Sequence, residues 1–366
     1  MSAQREGLES AAEVMLFEIG IGRLPCKRFV SGAFADAGKR LRISCDTLRM
    51  FRAPGLFVSI ALLAAACATN VTDTAPPSQV PPAIAAQLKK IGPVVDPFET
   101  PKLYLPLAER EPYRGVRVTR DLQYGDAARN LLDIFETESA RAPRPVLVFV
   151  HGGGYLMGDR RTSPGSPWYD NIGVWATRNG FVGVNITHRL APAFGWPAAQ
   201  QDIAKALGWL HENIAAHGGD PAHIVLMGQS SGATHVAEYL GHEEFHAGGS
   251  PGVTGAILLS GLFDPSKVEP APGIVAYFGD DRRRYAERSA LPGLARSKIP
   301  LLLVVAQFDP PGVHAQMEEA RRFLCVAGAC PQTLELLGHS HVSEVLSINT
   351  ADQVLTDAIR QFIAQD

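Results

Sequence analysis

The stretch Gly228-Gln229-Ser230-Ser231-Gly232 has the form G-x-S-x-G. An apolar run, His223-Ile224-Val225-Leu226-Met227, precedes it, and a helix-like run over 233–240 follows. Strand, sharp turn and helix in that order lift a serine hydroxyl off the edge of a sheet. The flanking glycines are needed because a Cβ there would collide with neighbouring backbone. Such a serine suits nucleophilic acyl transfer, which also needs a base, a group that orients the base, and donors for the oxyanion. Ser231 is a rival hydroxyl, but Ser230 is the one centred in the glycine pattern.

Each partner has its own signal. His151-Gly152-Gly153-Gly154-Tyr155 follows directly on an apolar run ending at Val150. Glycines there let backbone N–H groups approach a substrate oxygen, so Gly153 and Gly154 are expected as oxyanion donors together with the N–H of Ser231. His151 itself is read as a structural residue that shapes the loop. The orienting acid should follow a later strand. Asp309, just beyond the apolar run 300–306, is preferred to Asp264, which follows a strand ending near Ser260. The base should lie past the last strand, where Gly338-His339-Ser340-His341 offers two histidines. His341 is preferred because it lies deeper in the loop, just before a helix start, and His339 is the alternative. Tyr155 and Phe263 are placed to line an acyl pocket. No metal or cofactor is expected: the H-x-H pair lacks a carboxylate-rich partner motif, and His242 with His246 reads as an exposed polar helix end.

These groups need a scaffold. Residues 116–124 and 130–136 read as an early strand pair, and 145–150 as a strand buried on both faces. A helix over 168–179, a strand over 181–187 and a long amphipathic helix over 198–216 lead to the strand before Ser230. Further strands are expected over 255–259, 300–306 and 332–337, with a closing helix over 350–364. Strands alternating with helices at this spacing predict an α/β fold: a mainly parallel, doubly wound sheet flanked by helices. Ligands bind such sheets at the carboxyl ends of the strands. Residues 261–299 break the rhythm with Pro265, Pro270, Pro272, Tyr277, Phe278 and Pro292, and read as a small cap insertion over the site. A second cap element is expected from 83–112, with a short helix over 83–90. The four tryptophans, Trp168, Trp175, Trp196 and Trp209, read as core.

The order Ser230, Asp309, His341 is the chain order of the α/β-hydrolase fold, and residues 113–366 resemble that superfamily. Within it, the His151–Gly154 motif resembles carboxylesterases of the hormone-sensitive-lipase-like, feruloyl-esterase-like and kynurenine-formamidase-like group. His188-Arg189-Leu190-Ala191-Pro192, followed by Trp196-Pro197-Ala198-Ala199-Gln200-Gln201-Asp202, resembles their tyrosine-arginine-leucine-alanine-proline segment. Here His188 replaces the tyrosine, Ala193 the usual glutamate, and Gln229-Ser230-Ser231 the usual Asp-Ser-Ala. These departures, the Gly-His-x-His ending and the short insertion place the resemblance nearer the feruloyl-esterase and formamidase side. It implies a serine hydrolase that cleaves small carboxylic esters through an acyl-enzyme. The alternatives are an arylformamidase-type amide hydrolase and a non-catalytic binding lipoprotein on a hydrolase scaffold.

The front of the chain reads differently. Arg49-Met50-Phe51-Arg52 precedes an apolar run over 56–66 that Cys67 closes. The run is short for a membrane span, which needs about 20 residues, and its basic flank and small residues make a secretory signal. Leu63-Ala64-Ala65-Ala66-Cys67 resembles a bacterial lipoprotein box, with Cys67 as the lipidated residue. The expected organisation is a 1–49 extension produced by start-site choice, with translation from Met50; a signal over 50–67; a Pro-rich tether over 68–112; and a catalytic domain over 113–366. That places the protein on the periplasmic side of a bacterial envelope, lipid-anchored or, alternatively, secreted. Cys325 and Cys330, spaced C-x4-C, are then a candidate disulfide in an oxidising compartment.

Composition is ordinary for a globular chain of 366 residues: 46% hydrophobic, 19% charged, with a net charge of −3. The charge and the lack of a dense Lys/Arg stripe give no reason to expect a nucleic-acid partner. The run Arg282-Arg283-Arg284 is interleaved with acids and reads as a solvated face.

Overall fold

The structure, a computed structural model, describes residues 75–138 and 143–365. The expectations at Met50 and Cys67, the whole signal and the first residues of the tether, 68–74, lie outside those residues. Among the described residues no helix is long and apolar enough to cross a membrane.

Eight strands form one sheet: β1 (Val116–Gln123), β2 (Leu131–Thr137), β3 (Arg144–Val150), β4 (Val182–Ile186), β5 (Gly219–Gln229), β6 (Gly255–Leu259), β7 (Leu301–Phe308) and β8 (Gln332–Ser340). Their order across the sheet is β1-β2-β4-β3-β5-β6-β7-β8. Only β2 is antiparallel to its neighbours β1 and β4; every pairing from β4 through β8 is parallel.

Parallel strands need helical crossovers, and these cover both faces. The helices are α1 (Pro82–Ile91), α2 (Thr100–Tyr104), α3 (Asp170–Arg178), α4 (Ala198–Asn213), α5 (Ser231–Gly241), α6 (Pro272–Phe278), α7 (Leu291–Arg296), α8 (Pro311–Val326), α9 (Ser343–Leu346) and α10 (Val354–Ile363). The period-2 alternation of a strand sends neighbouring residues to opposite faces. In β3, Val146, Val148 and Val150 join one core with Leu207 and Leu210 of α4 and Val236 of α5. Leu147 and Phe149 join the other with Trp175 of α3 and Leu355, Ile359 and Phe362 of α10. The middle of the sheet is therefore apolar on both sides, which is why β3 and β5 carry unbroken apolar runs.

Residues 261–299 contain no strand. They form short helical turns plus α6 and α7. The proline-rich sequence explains this, since proline cannot donate to a strand ladder but opens a helix well. The insertion is not all cap. Leu291 and Leu294 of α7 are buried in the main core, and a Cβ on Gly293 would fall 1.6 Å from Gly241 O, so α7 is pressed against the end of α5. Residues 311–326 form α8, an element the apolar spacing did not mark. Proline at its first position and the i,i+3 pairs Glu318–Arg321 and Glu319–Arg322 on its surface are the signals it did carry. Cys325 and Cys330 are joined by a disulfide at its end. Of the tryptophans, Trp168 and Trp175 are buried, whereas Trp196 and Trp209 are half-buried. His242 is not a free polar end: its ring packs edge-on against Trp196.

Candidate active site

The carboxyl ends of β3, β5, β6, β7 and β8 bring the chemistry together. Ser230 caps β5 and opens α5 with φ 56° and ψ −125°, a backbone conformation that a residue with a Cβ rarely adopts. The turn survives because its neighbours leave no room for anything larger. A Cβ on Gly228 would fall 2.5 Å from Gly232 O, and one on Gly232 would fall 2.2 Å from Val150 O and 2.6 Å from His151 O. Ser230 N donates to Leu259 O of β6 at 2.8 Å, which ties the turn to the next strand.

Three of the residues expected from sequence meet here. His341 Nε2 lies 2.8 Å from Ser230 Oγ, and His341 Nδ1 lies 2.6 Å from Asp309 Oδ1. An ionised carboxylate only accepts hydrogen bonds, so Nδ1 carries the ring hydrogen and Nε2 is left to accept the serine proton. Asp309 is held in turn: its Oδ2 accepts from the N–H of Ala306 at 2.7 Å and from Ser260 Oγ at 2.6 Å. All three positions come from strand ends, which are rigid.

The alternatives go elsewhere. β8 runs on to Ser340, so His339 belongs to the strand and His341 is the first residue past it. The His339 ring turns away from Ser230, with Nε2 2.9 Å from Asp352 Oδ2 and Nδ1 3.1 Å from Ser343 Oγ. Asp264 caps a helical turn at 265–267, its Oδ1 accepting from Ser266 N at 3.0 Å and Ser266 Oγ at 2.6 Å.

The glycine loop after β3, expected to supply oxyanion donors, has the backbone its glycines permit. Gly153 has φ 127°, and a Cβ there would fall 2.0 Å from Met157 O. Among the described residues, no acceptor holds the N–H groups of Gly153, Gly154 or Ser231. The segment from His188 onward buttresses this loop. His188 stacks on His151 at 4.4 Å, Ala191 N donates to Tyr155 O at 3.0 Å, and Arg189 is pinned by Asp202 through Nε at 2.9 Å and through its own N–H at 2.8 Å. His151 Nδ1 lies 2.7 Å from Gly152 O. Burial drives the rings of His151 and His188 below the usual histidine range, so both are neutral at physiological pH.

Tyr155 and Phe263 are less open than an acyl-pocket lining requires. Phe263 is 1% exposed and belongs to the main core. Tyr155 is buried between Tyr277 of α6, stacked at 4.9 Å, and His235 of α5 at 5.5 Å. Tyr155 is covered by Tyr277, Phe278 and Tyr285 of the insertion, whereas Phe263, the insertion's own third residue, points into the main core. Gly273 of α6 lies against Gly154, where a Cβ would fall 2.4 Å from Gly154 O. On the other side of the site, α2 packs on α9, just past His341. A surface cavity of about 460 Å³, lined by Ala295, Lys298, Gly328 and Cys330 among others, includes none of the residues around Ser230.

Three residues of the site carried no sequence signal strong enough to single them out: Ser260, Glu344 and the side chain of Gln229. Gln229 Nε2 donates to His341 O at 2.8 Å and to Glu344 Oε1 at 3.0 Å, and Ser260 Oγ lies 2.9 Å from Glu344 Oε2. One acid in the short, otherwise uncharged helix Ser343-Glu344-Val345-Leu346 was the only available hint. Among the described residues, no cluster of histidine, cysteine and acid side chains could hold a metal ion.

Known proteins resemble parts of this chain in sequence and fold. The family described as BD-FAE matches residues 132–248. Esterase LipQ of Mycobacterium tuberculosis is 27% identical over 268 residues, 67% of this chain and 62% of LipQ. Phenmedipham hydrolase of Pseudarthrobacter oxydans is 41% identical over 106 residues, 27% of this chain and 20% of that protein. The chain thus spans less than two thirds of the length of either relative. Among solved structures, esterase B from Lactobacillus rhamnosis superposes with a TM-score of 0.60 at 18% identity, covering 77% of this chain and 93% of that one. A thermostable esterase from Pseudomonas putida gives 0.57 at 20%, covering 79% and 96%. With one antiparallel strand near the edge of a parallel sheet, a serine at the strand-to-helix turn and solved esterases that superpose on it, the chain has the α/β-hydrolase fold.

Proposed function

We propose that the protein is a serine hydrolase that cleaves small carboxylic esters through an acyl-enzyme. The observation that carries this reading is the row Ser230 Oγ, His341 Nε2, His341 Nδ1 and Asp309 Oδ1, with separations of 2.8 and 2.6 Å across the two hydrogen bonds. His341 takes the Ser230 proton as Oγ attacks the ester carbonyl, and returns it to the departing alcohol. Asp309 holds the imidazole in the required tautomer and balances its transient charge. The N–H groups of Gly153, Gly154 and Ser231 receive the oxyanion. Donors of this kind are worth about 3–4 kcal/mol each in the transition state. Water, activated by the same histidine, then releases the acid and restores Ser230.

The esterase relatives support an ester over an amide as the substrate class. The test is a short p-nitrophenyl ester with wild type and Ser230→Ala, alongside a fluorophosphonate label. The serine variant should lose about 10⁴–10⁶-fold in turnover and all labelling. Unchanged turnover would remove Ser230 from the role, and an N-formyl aryl amide cleaved faster than the ester would move the reading to an amidase.

The sequence around Leu63-Ala64-Ala65-Ala66-Cys67 supports a lipid anchor on the periplasmic side of a bacterial envelope. Metabolic labelling with palmitate, lost on Cys67→Ser, tests it; a soluble, unlabelled wild type would overturn it.

A further inference from the structure

Behind Asp309 lies a second carboxylic acid. Glu344 of α9 is fully buried, three residues past His341. Its two oxygens are engaged separately, Oε2 at 2.9 Å from Ser260 Oγ and Oε1 at 3.0 Å from Gln229 Nε2. The orientation of the Gln229 amide follows from its other contact, His341 O, which can only accept.

The hydrogens can then be counted. Asp309 Oδ1 accepts from His341, and Oδ2 accepts from Ala306 N–H and from Ser260 Oγ. Ser260 has a single hydroxyl hydrogen, and the closer of its two carboxyl neighbours, Asp309 at 2.6 Å, receives it. Nothing is left on Ser260 to give to Glu344. Two oxygens 2.9 Å apart with no hydrogen between them would repel, so the hydrogen on that second contact must belong to Glu344 Oε2. Glu344 Oε1 is then the carbonyl oxygen, which suits its donor from Gln229. Burial first, and the Asp309 carboxylate second, push the Glu344 carboxyl well above its usual range. The other titratable groups on elements packed against α9 are Lys102 and Tyr104 of α2 and Glu335 and His339 of β8; Lys102 is exposed and paired with Glu99, and Glu335 is exposed. His339 is engaged by Ser343 and Asp352, and Tyr104 also faces Ser343 and Asp352, so both are turned to partners other than Glu344.

We propose that Glu344 is a positioning residue of the hydrolase site: as a neutral acid it donates to Ser260 Oγ, which commits the Ser260 hydrogen to Asp309 Oδ2 and fixes the carboxylate that orients His341. The order of donation is Glu344 to Ser260, Ser260 to Asp309, and His341 to Asp309 from the other side. Gln229 clamps both ends of this arrangement, holding the acid and the backbone of the base with one amide. The inference rests on the assignment of Ser230 and His341 to ester chemistry.

The test compares wild type, Glu344→Gln and Glu344→Leu on a p-nitrophenyl ester. A glutamine places an N–H donor where the acid hydrogen was and keeps the carbonyl for Gln229, whereas leucine does neither. Glu344→Leu should lose about 10–100-fold in kcat with little change in KM, and Glu344→Gln should recover most of that loss. The acid limb of kcat/KM against pH should coincide in wild type and Glu344→Gln, because both are neutral at 344. Infrared difference spectra of the two should show a protonated carboxylic C=O stretch near neutral pH that is present only in wild type. An acid limb displaced downward by about one pH unit or more in Glu344→Gln would mean an ionised Glu344 in the wild type and would overturn the proposal. So would the absence of the C=O band, or wild-type turnover in Glu344→Leu. If the leucine variant does not fold, the glutamine comparison and the infrared band still decide. Fluorophosphonate labelling of wild-type Ser230 separates the two readings: its failure sinks the esterase, whereas labelling with an ionised Glu344 sinks only this inference.

Discussion

His341 Nε2 and Ser230 Oγ stand 2.8 Å apart although 111 residues separate them in the chain. Neither residue adapts to the other locally. Ser230 is fixed by a turn wedged against β3 and β6, and His341 by β8, by Asp309 and by the amide of Gln229. Preorganisation of this kind holds the imidazole beside the hydroxyl without local adjustment of either residue.

The two aspartates weighed from sequence are separable by experiment. Asp309→Asn leaves the shape of the site but removes the acceptor that selects the His341 tautomer, and turnover should fall about 10³–10⁴-fold. Asp264→Asn touches only the turn at Ser266 and should change turnover less than about threefold. Steady-state kinetics on one ester decides; equal losses would mean that the hydrogen bond to Asp309 is not what orients the base.

The two histidines should part along different axes. His341→Ala should remove catalysis by about 10⁴-fold or more with a near-wild-type melting curve. His339→Ala removes one buried hydrogen bond each from Asp352 and Ser343, and should cost about 1–3 kcal/mol of stability while sparing most turnover of the folded protein. Urea unfolding and esterase assays on both variants check this.

Gly232→Ala should be among the most damaging single-methyl additions in the protein. The added carbon meets backbone oxygens of Val150 and His151 at 2.2 and 2.6 Å, atoms that belong to the central strand and the oxyanion loop and cannot swing aside. A loss of about 2–4 kcal/mol is expected, read by chemical denaturation. A variant of wild-type stability would show that the loop yields more easily than its packing implies.

Stability should also depend on pH through the buried rings of His151, His188 and His235, all held below the usual histidine range, chiefly by burial. A base whose folded pKa is depressed binds fewer protons folded than unfolded. Above the unfolded value, about 6.5, it costs nothing; below it, stability falls as pH falls, by up to about 1.4 kcal/mol per pH unit per ring, until the folded pKa is reached. His235→Phe should remove one ring's share of that slope between pH 6.5 and 5. Unchanged slope would mean that His235 is protonated in the folded protein or that unfolding is not governed by these rings.

Much of the design was legible in the sequence because it is local. The turn around Ser230 and the glycines after Val150 are set by steric demands on a few consecutive residues, and a run of alternately buried positions marks a strand whatever lies beside it. The order of Ser230, Asp309 and His341 could be written down for the same reason: each follows the end of a recognisable strand. Boundaries were less exact where tertiary pairing extended an element. β8 continues to Ser340 because it pairs with Phe308 beyond a bulge, and that extension takes His339 into the strand and leaves His341 free.

The sequence by itself determined the sheet, the strained serine and the short list of its partners, since periodicity and glycine placement act over a few residues. Only the tertiary structure decided which partner is used and what stands behind it. The choice of Asp309 over Asp264, the inward burial of Phe263, and the convergence of Gln229, Ser260 and Glu344 depend on the relative position of strand ends 30 to 115 residues apart. No local pattern encodes that distance: hydrogen-bond directions and packing volume select it only once the sheet has closed around the site.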